Sequence, residues 1–121
     1  MDRAGQTKRS AYQKDTREAI VELLRGRNRK ARFMTELYAA LDKMGIRAAA
    51  IDRVLGELES QGGAMLRDHF CADPHLAGVD LRVVALVERR AGEDPQWDAI
   101  RRIDETWNKW LNEYLANHRC G

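Results

Sequence analysis

The fold is decided by residues 35–87, TELYAALDKMGIRAAAIDRVLGELESQGGAMLRDHFCADPHLAGVDLRVVALV. Apolar residues recur at three- and four-residue spacing over two parts of this stretch, which predicts two short amphipathic helices. Thr35 is predicted to cap the first helix and Gly45 to end it. The second helix is predicted over residues 47–61 and stops at a Gly-Gly pair.

The same spacing predicts which side chains of these two helices face the core. In the first helix they are Leu37, Tyr38, Leu41 and Met44. In the second helix they are Ala48, Ile51, Val54, Leu55 and Leu58. The spacing leaves Arg47, Ala50, Arg53 and Glu57 on the outer side of the second helix.

Two apolar segments after the Gly-Gly pair predict strands over residues 65–70 and 81–88. The ten residues between them are too many for a tight hairpin turn and form a polar loop. Residues 31–33 are expected to add a short edge strand to this pair. The second strand is apolar on both faces, so one face should meet the helical core and the other needs a cover.

Further helices are predicted on either side of this stretch. Asp15 caps a first helix that ends at Gly26. Asp94 and Pro95 begin a last helix that runs to about residue 117. The apolar stripe of that last helix consists of Trp97, Ile100, Ile103, Trp107, Trp110, Leu111, Tyr114 and Leu115.

This order of elements resembles the winged helix-turn-helix superfamily over residues 15–88. The resemblance implies a mostly α structure with a small antiparallel β hairpin, in the α+β class, extended here by a long C-terminal helix. We expect a flexible basic arm at residues 1–14, a winged-helix domain at 15–90 and an amphipathic packing or dimerisation helix at 94–117. The superfamily most often presents its second short helix to the major groove of DNA.

Positive charge is concentrated at the start of the chain. Residues 1–32 hold ten Lys and Arg against four Asp and Glu, and the remainder holds eleven against fifteen. Such asymmetry favours a polyanionic partner. The densest run is residues 25–32, with five cations and no acid.

The resemblance and the charge together predict a site for double-stranded DNA. The basic run is expected to bind phosphates and the second short helix to test base edges. The predicted DNA-binding residues are Arg25, Arg27, Arg29, Lys30, Arg32, Arg47, Ala50 and Arg53. Acidic side chains and three alanines in the second short helix leave open a role in binding another protein instead.

Aromatic residues give the last helix a wide apolar stripe. It is expected to cover the outer face of the sheet or to pair with its copy in a homodimer. The predicted dimer residues are Trp97, Ile100, Trp107, Trp110, Leu111 and Tyr114. A symmetric dimer would present two copies of the second short helix to DNA.

Every His and Cys falls in two short clusters, which leaves a metal- or redox-responsive regulator as a further alternative. The residues that a zinc site would use are His69, Cys71, His75, His118 and Cys120. Their spacing matches no standard zinc motif, so no metal and no other cofactor is predicted.

Other classes of protein have little support in the sequence. No apolar run approaches the ~20 residues needed to cross a bilayer, and the start of the chain lacks a secretory apolar core. No phosphate loop, nucleophile elbow or helical metal pair is present, so neither an enzyme nor a small-molecule substrate is expected. The sequence therefore predicts a cytoplasmic DNA-binding protein, a regulator of transcription that acts as a homodimer.

Overall fold

The computed structural model describes residues 15–26, 31–89, 92 and 94–117. Over these residues the chain is mostly helical with one small antiparallel sheet, so the predicted α+β class is confirmed. The predicted arm at residues 1–14 lies outside the described residues. So do five of the predicted site residues, namely Arg27, Arg29, Lys30, His118 and Cys120.

Helices and strands follow one another in the order α-β-α-α-β-β-α. Their bounds are α1 (15–25), β1 (Arg32–Phe33), α2 (Met34–Asp42), α3 (Ala48–Ser60), β2 (Ala64–Arg67), β3 (Val83–Leu86) and α4 (Pro95–Asn117). A single 3-10 turn at Pro74–Leu76 interrupts the long connection between β2 and β3. None of the described helices is long and apolar enough to span a membrane.

The sheet has the strand order β1-β3-β2, with both pairs antiparallel. Val84 of β3 lies opposite Arg32 of β1 on one side and Leu66 of β2 on the other. The edge strand predicted at residues 31–33 is therefore present. Because β3 is the central strand, all four of its residues are buried.

Two apolar clusters lie on opposite faces of the sheet. Val84 and Leu86 point into the larger cluster, which α1, α2 and α3 complete. Val83 and Ala85 point the other way and pack with Ala99 and Ile103 of α4. The cover that the sequence required for the outer face of β3 is therefore α4 of the same chain.

Helix α2 begins and ends earlier than predicted. Residue Thr35 does not cap it, because β1 runs directly into the helix and Phe33, in extended conformation, occupies the cap position without a side-chain hydrogen bond. After α2 ends, Gly45 turns the chain at a φ of 80°. This turn leaves Met44 60% exposed and brings Ile46 into the core, so the inward placement of Met44 was wrong.

Both long strands are shorter than predicted. Phe70 lies three residues beyond the end of β2 and is 86% exposed. The loop that follows has its own capping interaction, since Asp73 accepts a hydrogen bond from the amide of His75. The start of α4 agrees with the prediction: Asp94 Oδ1 accepts hydrogen bonds from the amides of Gln96 and Trp97.

Candidate nucleic-acid interface

Helix α3 presents one continuous exposed line to solvent. Four apolar residues bury its inner side, namely Ile51, Val54, Leu55 and Leu58. At about 100° per residue, the line opposite them consists of Ala49, Arg53, Gly56 and Ser60, all exposed. Three of these four side chains are small, so another molecule can approach the helix backbone closely.

Two other alanines of α3, Ala48 and Ala50, lie between this line and the buried side of the helix. Ala48 is exposed, not inward as predicted, and Ala50 is half-buried and packs partly against the larger core. Both residues sit about a quarter turn from the centre of the buried stripe, so the spacing of apolar residues alone assigned them wrongly. Ala50 is therefore less accessible than a predicted DNA-contacting residue should be.

The beginning of α3 has neither a side-chain cap nor an acidic residue in its first turn. Arg47 occupies the cap position in extended conformation. The first amides of a helix have no partner inside it, and the helix dipole adds partial positive charge there. This end of α3 therefore suits an anion.

Two predicted base-reading cations lie on this open half of α3. Arg47 and Arg53 are exposed, and neither forms an ion pair with another residue in the part of the chain that the structure describes. Arg53 is thus not paired with Asp52 or Glu57. Lys43, just after α2, adds another exposed cation beside the turn that leads into α3.

Helix α3 also carries three acidic residues, two of them in its C-terminal half. Glu57 and Glu59 are exposed on its C-terminal half. Asp52 is also exposed and accepts a hydrogen bond from the hydroxyl of Tyr38 on α2. Over residues 47–60, two Arg face three acids. Positive charge on α3 is therefore confined to its first half.

A polar network joins α2 and α3 to the start of β3. Arg82 donates to Asp80 over 2.9 and 2.7 Å and to the Tyr38 hydroxyl over 3.2 Å. The hydrogen bond from Arg82 lowers the pKa of Asp80, and the bond to Asp80 in turn raises the pKa of Arg82. Burial and the hydrogen bond to Asp52 raise the pKa of Tyr38. The charge of Arg82 is therefore balanced by Asp80, and its hydrogen bonds hold the β2–β3 hairpin against the helices.

A shallow groove runs between α3 and the β2–β3 hairpin. Its lining residues are Met34, Asp52, Leu55, Gly56, Glu59, Leu66 and Arg82. Two carboxylates face it from α3, and Asp80 already pairs with the guanidinium on the other side. This groove therefore disfavours a phosphate backbone.

The described members of the basic run are engaged within the chain. Arg25 donates to Glu88 through Nε over 3.1 Å and through Nη2 over 2.5 Å. Arg32 donates to the carbonyl oxygen of Leu23 over 2.9 Å and lies 3.9 Å from a carboxylate oxygen of Glu36. These two predicted phosphate ligands are thus partly committed to holding β1 and α1 in place.

An aromatic row on α4 faces inward. Trp107 stacks on His69 at 4.5 Å between ring centroids and on Trp110 at 5.3 Å, and Trp110 stacks on Tyr114 at 5.2 Å. Phe33 packs against both tryptophans. Three of the six residues predicted for a dimer interface therefore make contacts inside one copy.

The other three predicted dimer residues lie farther out on α4. Trp97 is 69% exposed, and Ile100 and Leu111 are half-buried. These residues remain accessible to a second molecule.

Three of the candidate zinc ligands, His69, Cys71 and His75, lie in the loop between β2 and β3. Besides its stacking, His69 places Nδ1 3.2 Å from the carbonyl oxygen of Leu81. Cys71 is half-buried and His75 is exposed. Within the described ranges, no three His, Cys, Asp or Glu side chains are grouped so that they could hold a metal ion.

Sequence reasoning missed two polar clusters that tie the elements together. One is the Tyr38–Arg82 network, whose members lie 44 residues apart in the chain. The other is the buried pair Asp98–Arg102 of α4, in which Arg102 also donates to the carbonyl oxygen of Leu86 over 2.5 Å. A signal for the second was present, since an acid and an Arg four residues apart lie near the apolar stripe of α4.

Comparison of this chain with family models, with curated proteins and with solved structures found no match in any of the three.

Proposed function

We propose that this chain is a winged-helix DNA-binding protein that regulates transcription, and that the first half of α3 enters the major groove. The observation that carries the proposal is the open start of α3. It is exposed, uncapped and free of acids in its first turn, and it bears Arg47 and Arg53. Among the described residues neither arginine has an ion-pair partner.

The order of elements supports the proposal. An α-β-α-α-β-β succession with the sheet order β1-β3-β2 is typical of winged helices, and the loop between β2 and β3 corresponds to the wing. In helix-turn-helix proteins the second helix of the motif contacts base edges mainly through its N-terminal residues. In this chain that half of α3 has no acid in its first turn, and Asp52, which follows, accepts a hydrogen bond from Tyr38.

Each part of the proposed contact follows from the chemistry of its side chains. The bare amides at the start of α3 and the Arg47 guanidinium bind backbone phosphate. Arg53, one to two turns further along, reaches a guanine edge, to which a guanidinium can donate two hydrogen bonds. Ala49 and Gly56 have little side chain to hold the helix away from the bases.

The acidic groove limits how the duplex can lie. Asp52 and Glu59 face the groove between α3 and the hairpin, so a phosphate backbone there would meet negative charge. The duplex therefore contacts the start of α3 and the α2–α3 turn, and the wing contributes little. With one guanidinium on base edges, sequence preference is weak and phosphate contacts supply most of the affinity.

Fluorescence anisotropy with a labelled random duplex over a range of salt concentrations tests the proposal. We expect Arg47→Ala and Arg53→Ala each to weaken binding. Loss of the Arg47 phosphate contact should also flatten the plot of log affinity against log salt by about one unit. Lys109→Ala, which removes one exposed cation from α4, is the charge-matched control and should leave both affinity and slope nearly unchanged.

Two results would contradict the proposal. One is that Arg47→Ala and Lys109→Ala weaken DNA binding equally, because the loss of affinity would then reflect only the change in net charge. The other is the absence of binding to any duplex at micromolar protein and low salt. The second result would favour the alternative of a protein-binding module, for which the three acids and small side chains of α3 fit a partner with a basic surface.

A further inference from the structure

We propose that the solvent-facing side of α4 is a self-association surface on which a second copy of this chain lies antiparallel. The surface, here called the outer strip, consists of Trp97, Asp104, Asn108, Leu111 and Leu115. At about 100° per residue these five side chains fall within a sector of about 60° on α4. The opposite side of the helix is occupied by the sheet.

The apolar residues of the outer strip stand at its two ends. Trp97 is 69% exposed and Leu115 is 47% exposed, and Leu111 is half-buried. The other aromatic residues of α4 are half-buried, so the more exposed Trp97 leaves apolar area to be covered. Trp107, Trp110 and Tyr114 make contacts inside one chain, so the proposed surface is this strip and not the aromatic row that the sequence predicted.

The polar residues of the strip select one arrangement of the two copies. With a two-fold axis beside residue 106, Trp97 lies opposite Leu115 of the second copy, and Asp104 lies opposite Asn108 of the second copy. The asparagine carboxamide can then donate to the carboxylate, and symmetry repeats both contacts. In a parallel pair Asp104 would face itself, which like-charge repulsion disfavours.

The charged residues described on one flank of the strip pair with one another. Arg101 donates to Asp98 over 2.7 Å and lies 3.8 Å from a carboxylate oxygen of Glu105. One helix from each copy gives a smaller interface than the ~800 Å² per partner of a stable complex. Association is therefore expected to be weak and to depend on protein concentration.

Analytical ultracentrifugation without DNA tests this surface independently of the proposed function. We expect the average mass to rise from the 13.9 kDa of one chain toward twice that value between about 1 µM and about 1 mM protein. Trp97→Lys and Leu115→Glu should each weaken association by at least about tenfold. Both side chains are exposed, so an unchanged circular dichroism spectrum should accompany the loss.

A double variant tests the antiparallel register. In Trp97→Lys/Leu115→Glu each new cation lies opposite a new anion, so association should recover relative to both single variants. Gln96→Lys/Ala116→Glu makes the same charge changes at exposed positions outside the strip and should associate like the natural chain.

Three results would overturn the inference. A mass of one chain at every concentration would remove the surface. Association that Trp97→Lys and Leu115→Glu leave unchanged would place it elsewhere on the molecule. A double variant that associates no better than the single variants would contradict the antiparallel register.

Discussion

At the scale of single residues, the structure pairs polar groups that are far apart in the sequence. Tyr114 belongs to the apolar stripe of α4 in the sequence, yet its hydroxyl donates to Asp73 over 2.7 Å. Asp73 also caps the 3-10 turn, so one carboxylate joins the loop to α4. The distance between these residues in the chain, 41 positions, is why no local pattern shows the contact.

This contact predicts an altered tyrosine titration. The hydrogen bond to Asp73 raises the pKa of Tyr114 to about 12, because the phenolate would lose the bond and face the carboxylate. Asp73→Ala should return the pKa toward the ordinary value of 10.0. Ultraviolet titration measures this pKa. Subtracting the curve of Tyr114→Phe from the curve of each other protein isolates the titration of Tyr114. An identical titration curve for Asp73→Ala and the natural chain would contradict the hydrogen bond.

At the scale of elements, α3 has an exposed glycine in its interior. Gly56 lies in its middle, on the exposed line, and a β carbon added there would meet nothing within 4 Å. A glycine in a helix interior costs roughly 0.5–1 kcal/mol relative to alanine. The structure itself gives no packing reason for glycine at this position.

Gly56→Ala therefore separates stability from binding. We expect the free energy of unfolding in urea to rise by about 0.5–1 kcal/mol, because the unfolded chain loses backbone freedom. If α3 approaches DNA closely at this point, duplex affinity should fall in the same variant. Gly45→Ala is the opposite control: with φ at 80° it should destabilise. A loss of stability in Gly56→Ala would contradict the exposed helical setting of residue 56.

The elements themselves were largely predictable, and their exact ends were not. Apolar spacing identified α2, α3 and α4, and Asp94 and Pro95 marked the start of α4 correctly. The side chain of Thr35 predicts a cap, but the edge strand β1 runs into α2 and Phe33 takes that position. Only the tertiary pairing of β1 with β3 fixes this boundary, so a local signal could not reveal it.

The candidate site was predictable in part for the same reason. Arg47 and Arg53 were identified from helical phase, which depends on local spacing. The engagement of Arg25 by Glu88, and of Arg82 by Asp80 and Tyr38, depends on which elements meet in space. Charge in the sequence therefore indicated where cations are, but not which of them remain available to a partner.

At the scale of the whole molecule, the two clusters are joined through β3 and through one buried ion pair. Asp98 and Arg102 of α4 are 3.0 Å apart and almost fully buried, and Arg102 also binds the carbonyl oxygen at the end of β3. Burial raises the pKa of Asp98, but the hydrogen bond from Arg101 and the charges of Arg102 and Arg101 outweigh it. The net pKa of Asp98 is therefore lowered.

This lowered pKa predicts loss of stability in acid. A carboxyl whose pKa is lower in the folded chain stabilises the fold above its unfolded pKa, and that contribution is lost as the pH falls. The free energy of unfolding should therefore decrease below about the ordinary value of 3.8, with Asp80 contributing in the same direction. Asp98→Asn should be less stable at neutral pH and show a shallower decrease in acid, measured by urea unfolding at several pH values.

Asp42→Asn, at the exposed end of α2, is the control for this measurement and should change the acid dependence much less. An acid dependence as steep in Asp98→Asn as in the natural chain would contradict the assignment to the buried pair.

The aromatic row gives the molecule an internal optical reporter. Trp107 and Trp110 are stacked on α4 and both contact Phe33 of β1, so the near-ultraviolet circular dichroism of this pair should change when α4 separates from the sheet. Trp97 stands apart in solvent and supplies a separate emission that responds when a second molecule covers it. One unlabelled chain can therefore report the docking of α4 and the coverage of its outer strip through two distinguishable chromophores.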